Sequence, residues 1–340
     1  MAEEAGAAAK TPASRGRLTD RLLAVPLEIR TSATVLAIAI FMCATFAYAY
    51  TVALGRPFPR HLPIGVVGEP SPELLQELQV RAHEFDMVSY PSRDAAIAAV
   101  EQQQITAVID AGGNPPQLLV SSASGSSTAR VLTELVQTGP GQYRLPITDL
   151  NPFPPTDPAG LATFYTIIAA TILGLVTMFQ LRANVKTLTL RRWIGCVGVL
   201  AVAGGAAIAA VAGPLLDALQ TPFWELWLLL ALQVAITALF NSTMLVLIHR
   251  WAIIPTWAVF ILLGNTSSGG AVSASLLPQP FALLNHALPS GAAVSAIHSA
   301  TYFPEHQRAL PFVVLALWLV GTFAALVVSS RKLNRTPANA

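Results

Sequence analysis

Long apolar runs constrain this chain more than anything else in it. They extend from Ala33 to Leu54, Leu161 to Leu181, Trp193 to Leu216, Leu226 to Ile248, Trp251 to Leu263 and Leu310 to Ser329. A helix needs roughly 20 predominantly apolar residues to cross about 30 Å of hydrocarbon, and every run but the fifth reaches that length. Helices satisfy their own backbone hydrogen bonds, so each run can sit in lipid as a helix. The fifth is short, which predicts a partial or tilted helix leading into a re-entrant segment. Composition agrees: 54% of the residues are hydrophobic and 11% charged, against about 25% charged in ordinary soluble domains.

Lys and Arg fix the expected orientation, because short basic loops stay on the cytoplasmic side. Lys10, Arg15, Arg17, Arg21 and Arg30 precede the first run. Arg182, Lys186, Arg191 and Arg192 lie between the second and third, Arg250 between the fourth and fifth, and Arg331, Lys332 and Arg335 after the last. The intervening connections, Gly213 to Glu225 and Gly264 to Arg308, are nearly free of Lys and Arg. Six crossings with both termini cytoplasmic satisfy this alternation. Ala47-Tyr48-Ala49 resembles a signal-peptide cleavage site, but the apolar stretch before it is too long for such a peptide, so a retained anchor is expected.

The expected fold is an α-helical polytopic membrane protein of six transmembrane helices with an inserted small α/β extracytoplasmic domain. Its parts are a cytoplasmic N-terminal segment with an amphipathic helix (1–31), the first membrane helix (32–54), the α/β domain (55–159), a five-helix membrane domain (160–330) with a re-entrant or outer gate segment (264–308), and a cytoplasmic tail (331–340). Prolines border the α/β domain on both sides, reading as stiff linkers. Inside it, apolar alternation predicts strands at Ile64 to Val67, Met87 to Tyr90, Thr106 to Asp110 and Gln117 to Ser121. Helices are expected at Pro72 to Phe85, Arg93 to Gln103 and Thr128 to Gln137. The resulting βαβαββα order implies a small sheet covered by helices.

No catalytic constellation is visible. Asp86, Asp94, Glu101 and Asp110 are scattered carboxylates without a partnered His or Cys, and no G-x-x-x-x-G-K phosphate loop occurs. Cys43 and Cys196 lie singly within apolar runs, and His286, His298 and His306 lack metal-ligand spacing. No metal, cofactor or nucleic-acid partner is therefore expected. The cores of the runs also lack Asp, Glu, Lys and Arg, which disfavours a proton-coupled carboxylate relay. Energy for any transport would come from a separate subunit.

Three features point to a path or a packing surface. Gln233, Thr237 and Asn241 recur every four residues and share a helix face, fit either to line a path or to hydrogen-bond a neighbouring helix. Gly195, Gly198, Gly204, Gly205, Ala206, Ala207, Ala209 and Ala210 make the third run rich in small residues, permitting close backbone approach. Gly264-Asn265-Thr266-Ser267-Ser268-Gly269-Gly270 follows the short fifth run, and irregular backbone near membrane depth needs protein or a water-filled cavity to satisfy it. Asn265-Thr266-Ser267 also matches a glycosylation acceptor, a pattern short enough to arise by chance.

With this last motif, and with an N-terminal span followed by a domain opening on Ile64-Gly65-Val66-Val67, the chain resembles type-two ABC exporter permeases, in particular small members of the YhgE/Pip (phage infection protein) group. The resemblance implies a bacterial plasma-membrane exporter half that pairs with itself or a paralogue and moves an amphiphilic or lipid-like substrate in contact with membrane lipid. It implies that the segment after the fifth run, with Asn265, Ser267, Ser268, Gly269 and Gly270, folds back as an outer gate, to which the Gln233, Thr237 and Asn241 face would add the lining of a path. It further implies an ATPase contact at Arg182, Lys186, Arg191 and Arg192, helped by amphipathic Leu18 to Ile29. The connection holding those basic residues is short and lacks an acidic or aromatic coupling feature. The group also admits an alternative, a non-transporting scaffold or receptor whose outer domain binds a partner.

Overall fold

A computed structural model of the chain describes residues 26–55, 57–72, 76, 83–138, 145–185 and 187–335. Most of the amphipathic stretch before the first span, most of the expected Pro72 to Phe85 helix, Lys186 and the last residues of the tail lie outside that set. The chain divides into two compact units between Tyr48 and Ala49. Helix α1 (Leu27–Leu54) carries the first apolar run across that boundary.

The α/β domain follows. Its strands are β1 (Leu62–Val67), β2 (Phe85–Tyr90), β3 (Ala107–Asp110), β4 (Gln117–Val120) and β5 (Ile147–Asp149), with helices α2 (Arg93–Glu101) between β2 and β3 and α3 (Ser126–Thr138) between β4 and β5. They form one mixed sheet in the order β2-β1-β3-β4-β5. β1 pairs in parallel with β2 and β3, β3 and β4 form an antiparallel hairpin, and β4 pairs in parallel with β5. The period of two sorts the core. Ala107, Ile109, Leu118 and Val120 face a layer containing Ala129 and Leu132 of α3, while Val108 and Leu119 face Ala96, Ala99 and Val100 of α2. Ser92 starts α2 by accepting the Ala95 N–H at 3.2 Å, the usual N-cap arrangement.

Beyond the domain come α4 (Ala162–Asn184), α5 (Leu190–Ala210, closed by a π-turn Val211–Leu215), α6 (Phe223–Ile248) and α7 (Ile253–Thr256, running on as a π-helical stretch Trp257–Gly264). They are followed by α8 (Phe281–Ala287), α9 (Pro289–Tyr302) and α10 (Ala309–Arg335). Among the described residues, five helical stretches are long and apolar enough to cross a membrane: Leu27–Leu54, Ala162–Asn184, Leu190–Leu215, Phe223–Gly264 and Ala309–Arg331. The protein is a polytopic helical membrane protein with a small mixed sheet.

The stretch Phe223–Gly264 is folded back on itself rather than straight. His249 ends α6 with a positive φ of 53°, and the rings of Phe240 and Phe260 meet with centroids 5.4 Å apart. A continuous helix would separate two such positions by about 30 Å. The returning arm, Ile253 to Gly264, covers about 18 Å at most, which agrees with the short fifth run.

α6 occupies the middle of the bundle, against α4, α5, α9 and α10. Glycines let α4 and α5 approach it closely. A Cβ on Gly174 would lie 2.8 Å from the Val234 carbonyl, and one on Gly205 would lie 2.8 Å from the Ala231 nitrogen. Gly204 meets only the Leu173 side chain, whereas Gly195 and Gly198 face open space. The small residues of α5 are therefore packing residues at one end of the helix only. Val199 and Val202, on its outer side, are exposed.

Candidate functional site

The polar stripe of α6 is wholly enclosed. Gln233, Thr237 and Asn241 each have no exposed surface. Gln233 Nε2 donates to Thr171 Oγ1 of α4 at 2.9 Å and faces Ser290 Oγ of α9 at 3.5 Å. Thr237 donates to its own helix at the Gln233 carbonyl. Asn241 Nδ2 donates to the Leu175 carbonyl at 2.9 Å, and its Oδ1 accepts from Thr256. Buried amide groups find partners because leaving them bare costs about 1–3 kcal/mol each. Among the described residues, Gln233 Oε1 and Asn265 Oδ1 are buried acceptors without a hydrogen-bond partner.

At the end of α7 the backbone leaves the helix through Asn265, Thr266, Ser267 and Ser268, all buried. The side chains bond the turn they have just left: Thr266 to the Leu262 carbonyl, Ser267 to Leu263, Ser268 to Asn265. Small hydroxyl residues here take up helix-terminal carbonyls that lipid could not satisfy. Asn285 of α8 reaches back to donate to the Ser267 carbonyl at 2.8 Å. Gly269 has φ +79°, and a Cβ on Gly270 would crowd Phe164 of α4 at 3.0 Å. The Asn265-Thr266-Ser267 tripeptide is thus a structural element of the interior, inaccessible to glycosylation.

The α/β domain sits directly on this segment. Ser127, in the first turn of α3, meets Ser273 Oγ at 2.8 Å and accepts the Ser273 N–H at 2.8 Å. Gly125, at φ +145°, allows the approach, since a Cβ there would collide with Ser273 Oγ. After α2, Gln103 donates to Ser299 Oγ and the His306 carbonyl, while Arg308 donates to the Gln103 carbonyl. Arg60 donates to the Leu276 carbonyl at 3.2 Å. Between domain and segment lies a polar cavity of about 240 Å³, lined by Gln103, Ser124, Ser268, Asn285, His298 and Arg308 among others.

His298 links the two parts. Its ring hydrogen-bonds the Ala123 backbone and packs edge-on against Phe153 and Tyr302, with centroids 6.5 and 5.2 Å away. Burial pushes its pKa down to about 4, opposed by the Ala123 hydrogen bond and the charge of Asp157. Burial, with the same Asp157 charge, pushes the Tyr302 hydroxyl up. Asp157 itself accepts the Leu161 and Ala162 N–H groups, both at 2.9 Å, placing a carboxylate at the start of α4 where the helix dipole favours it.

The carboxylates scattered through the α/β domain hold structure together. Asp110 pairs with Arg93 at 3.6 Å, Asp86 with His61 at 3.0 Å, and Glu101 accepts from Asn151 at 3.0 Å. At the other end of the bundle, Arg182, Arg191 and Arg192 are exposed at the facing ends of α4 and α5.

The sequence-derived positions thus fall into three groups: the enclosed stripe of α6, the buried turn Asn265 to Gly270, and the basic end. The junction contributed by Gln103, Ala123, Ser127, Ser273 and His298 escaped sequence reasoning, because its contacts join residues far apart in the chain. No protein-family model matches the chain, and neither a curated protein nor a solved structure matches it.

Proposed function

We propose that this chain is the membrane permease subunit of an ABC-type exporter, moving an amphiphilic or lipid-like substrate outward with energy from a separate ATPase. The observation that carries the reading is the hydroxyl-rich turn Asn265 to Gly270, which lies at the end of a half-length helix and under a polar cavity capped by the α/β domain. A path for an amphiphile needs such a polar break in an otherwise apolar bundle, next to elements able to move apart.

In this reading the basic end of the bundle is cytoplasmic and the α/β domain, residues 55–159, stands outside a bacterial plasma membrane. The hairpin at His249 supplies the fourth and fifth of six crossings, the latter completed by the re-entrant segment. The ATPase contact is at Arg182, Arg191 and Arg192, exposed at the facing ends of α4 and α5, with Lys186 of the same connection outside the described residues, and a second copy or a paralogue completes the path. The enclosure of Gln233, Thr237 and Asn241 favours a second reading, a scaffold or receptor without a path, in which the stripe only ties helices together.

Purification of the tagged protein in mild detergent, followed by mass spectrometry and an ATP hydrolysis assay on the eluate, separates the two. A stoichiometric nucleotide-binding partner with ATPase activity, lost on charge reversal at Arg191 and Arg192, supports the permease. Recovery of the chain alone under conditions that preserve complexes moves the conclusion to the scaffold.

A further inference from the structure

The end of the bundle away from the α/β domain holds a second cavity, of about 250 Å³, between α4, α5, α6 and α10. Its floor is buried and apolar, made by Trp193, Leu245 and Leu326. The polar atoms there are consumed internally: Trp193 Nε1 donates to Ser242 Oγ at 2.8 Å, and Ser242 donates to the Ala238 carbonyl at 2.6 Å. Its mouth carries Arg182 and His249, both exposed.

Among the described residues of the bundle, no carboxylate lies at this mouth. From Ala162 to Arg335 the only carboxylates are Asp217, Glu225 and Glu305. Glu225 accepts from Gln307 at 2.8 Å and the Asp217 carbonyl accepts from Thr156, both at the opposite end of the bundle. Arg191 and Arg192 stand in the first turn of α5, where a cation opposes the helix dipole. A basic cluster without an acidic partner among the described bundle residues fits an external anion. Trp193 and Trp251 mark this end as headgroup depth, and Arg250 lies over the Trp251 ring at 5.4 Å.

We propose that this cavity is a binding site for an anionic phospholipid, with the headgroup phosphate at Arg182 and His249 and part of an acyl chain against Trp193, Leu245 and Leu326. An apolar floor beneath a cationic mouth matches that amphiphile. A zwitterionic lipid brings its own cation, and a neutral one leaves the arginine unused. The site is independent of whether the chain is a permease or a scaffold.

Native mass spectrometry of the purified full chain, titrated with phosphatidylglycerol and with phosphatidylcholine of matched acyl chains, tests it. Phosphatidylglycerol is expected to be retained more strongly. Arg182→Gln should weaken that retention roughly fivefold, the factor expected for one basic residue at an anionic lipid surface, and leave phosphatidylcholine unchanged. Arg192→Gln, at the same end but outside the cavity lining, should have a smaller effect. Leu190→Trp, which fills the half-buried rim, should reduce retention without altering the oligomeric profile. Equal retention of the two lipids, which would leave the cavity to a protein segment, overturns the proposal. So do equal losses in Arg182→Gln and Arg192→Gln, or retention indifferent to Leu190→Trp.

Discussion

The Thr256 hydroxyl donates to Asn241 Oδ1 at 3.1 Å, although the two residues are 15 positions apart. Along a continuous helix that separation would be about 22 Å. The bond clasps the two arms of the hairpin, and the Asn241 amide is tied in turn to the Leu175 carbonyl of α4. Asn241→Leu removes both contacts, while Thr256 retains its bond to the Ala252 carbonyl. A loss of about 1 kcal/mol is expected, in line with interhelical hydrogen bonds in membranes. Thermal unfolding in detergent should show a midpoint lower by a few degrees. A midpoint at or above wild type would mean that apolar packing alone holds the hairpin.

The glycines of α5 predict opposite outcomes on one helix. Gly205→Leu drives a side chain into the Ala231 backbone and should abolish a monodisperse folded species, because backbone cannot move aside as a side chain can. Gly198→Ala points into open space and should be neutral or raise stability by up to about 1 kcal/mol through helix propensity. Size-exclusion profiles and melting curves of the two variants decide the matter.

Gly125→Ala should loosen the domain from the segment beneath it, since the new Cβ meets Ser273 Oγ and Cβ in a backbone conformation that disfavours side chains. Hydrogen exchange is expected to rise at 271–276 and 125–129 while the sheet stays protected. Gly112→Ala, whose nearest atom would be 3.7 Å away, serves as the tolerated control.

His298 should give the protein an acid sensitivity of definite sign. Its folded pKa, about 4, lies below the ordinary value near 6.5. As pH falls through that range the unfolded chain takes up a proton that the folded chain refuses, so stability drops between about pH 6.5 and pH 4 and levels off below. Above that window His298 contributes no pH dependence. Unfolding midpoints at pH 7.5, 6 and 5 should fall more steeply in wild type than in His298→Gln. Parallel slopes would show that the ring is free to protonate in place.

Much of this architecture is legible in the sequence, for identifiable reasons. Apolar alternation marked Thr106 to Asp110 and Gln117 to Ser121 as strands, each within one residue of the observed bounds, and a long apolar run marked α6, because burial on one face or all round leaves a direct record in residue type. β5 left none, since Ile147-Thr148-Asp149 is too short to show a period. The close packing expected along all of α5 holds at Gly205 but not at Gly195 or Gly198, because small residues record that contact is possible and not where the neighbour lies. The Gln233, Thr237 and Asn241 stripe was legible as a shared face; that its groups are spent on Thr171, Leu175 and Thr256 was not. Ser127 and Ser273 are ordinary serines until the fold brings them together.

That last pair also bears on the order of synthesis. Ser127 precedes Ser273 by 146 positions, and β5, the last strand of the sheet, is made after α1 but before α4 and every later helix. The sheet is therefore complete while its resting place does not yet exist, and the surface around Ala123 and Ser127 stays uncovered until Ser273, His298 and Arg308 have been translated. Closure of this seam is a late step of biogenesis, and a chain truncated before Ser273 would carry all five strands of the sheet without the segment that covers this surface.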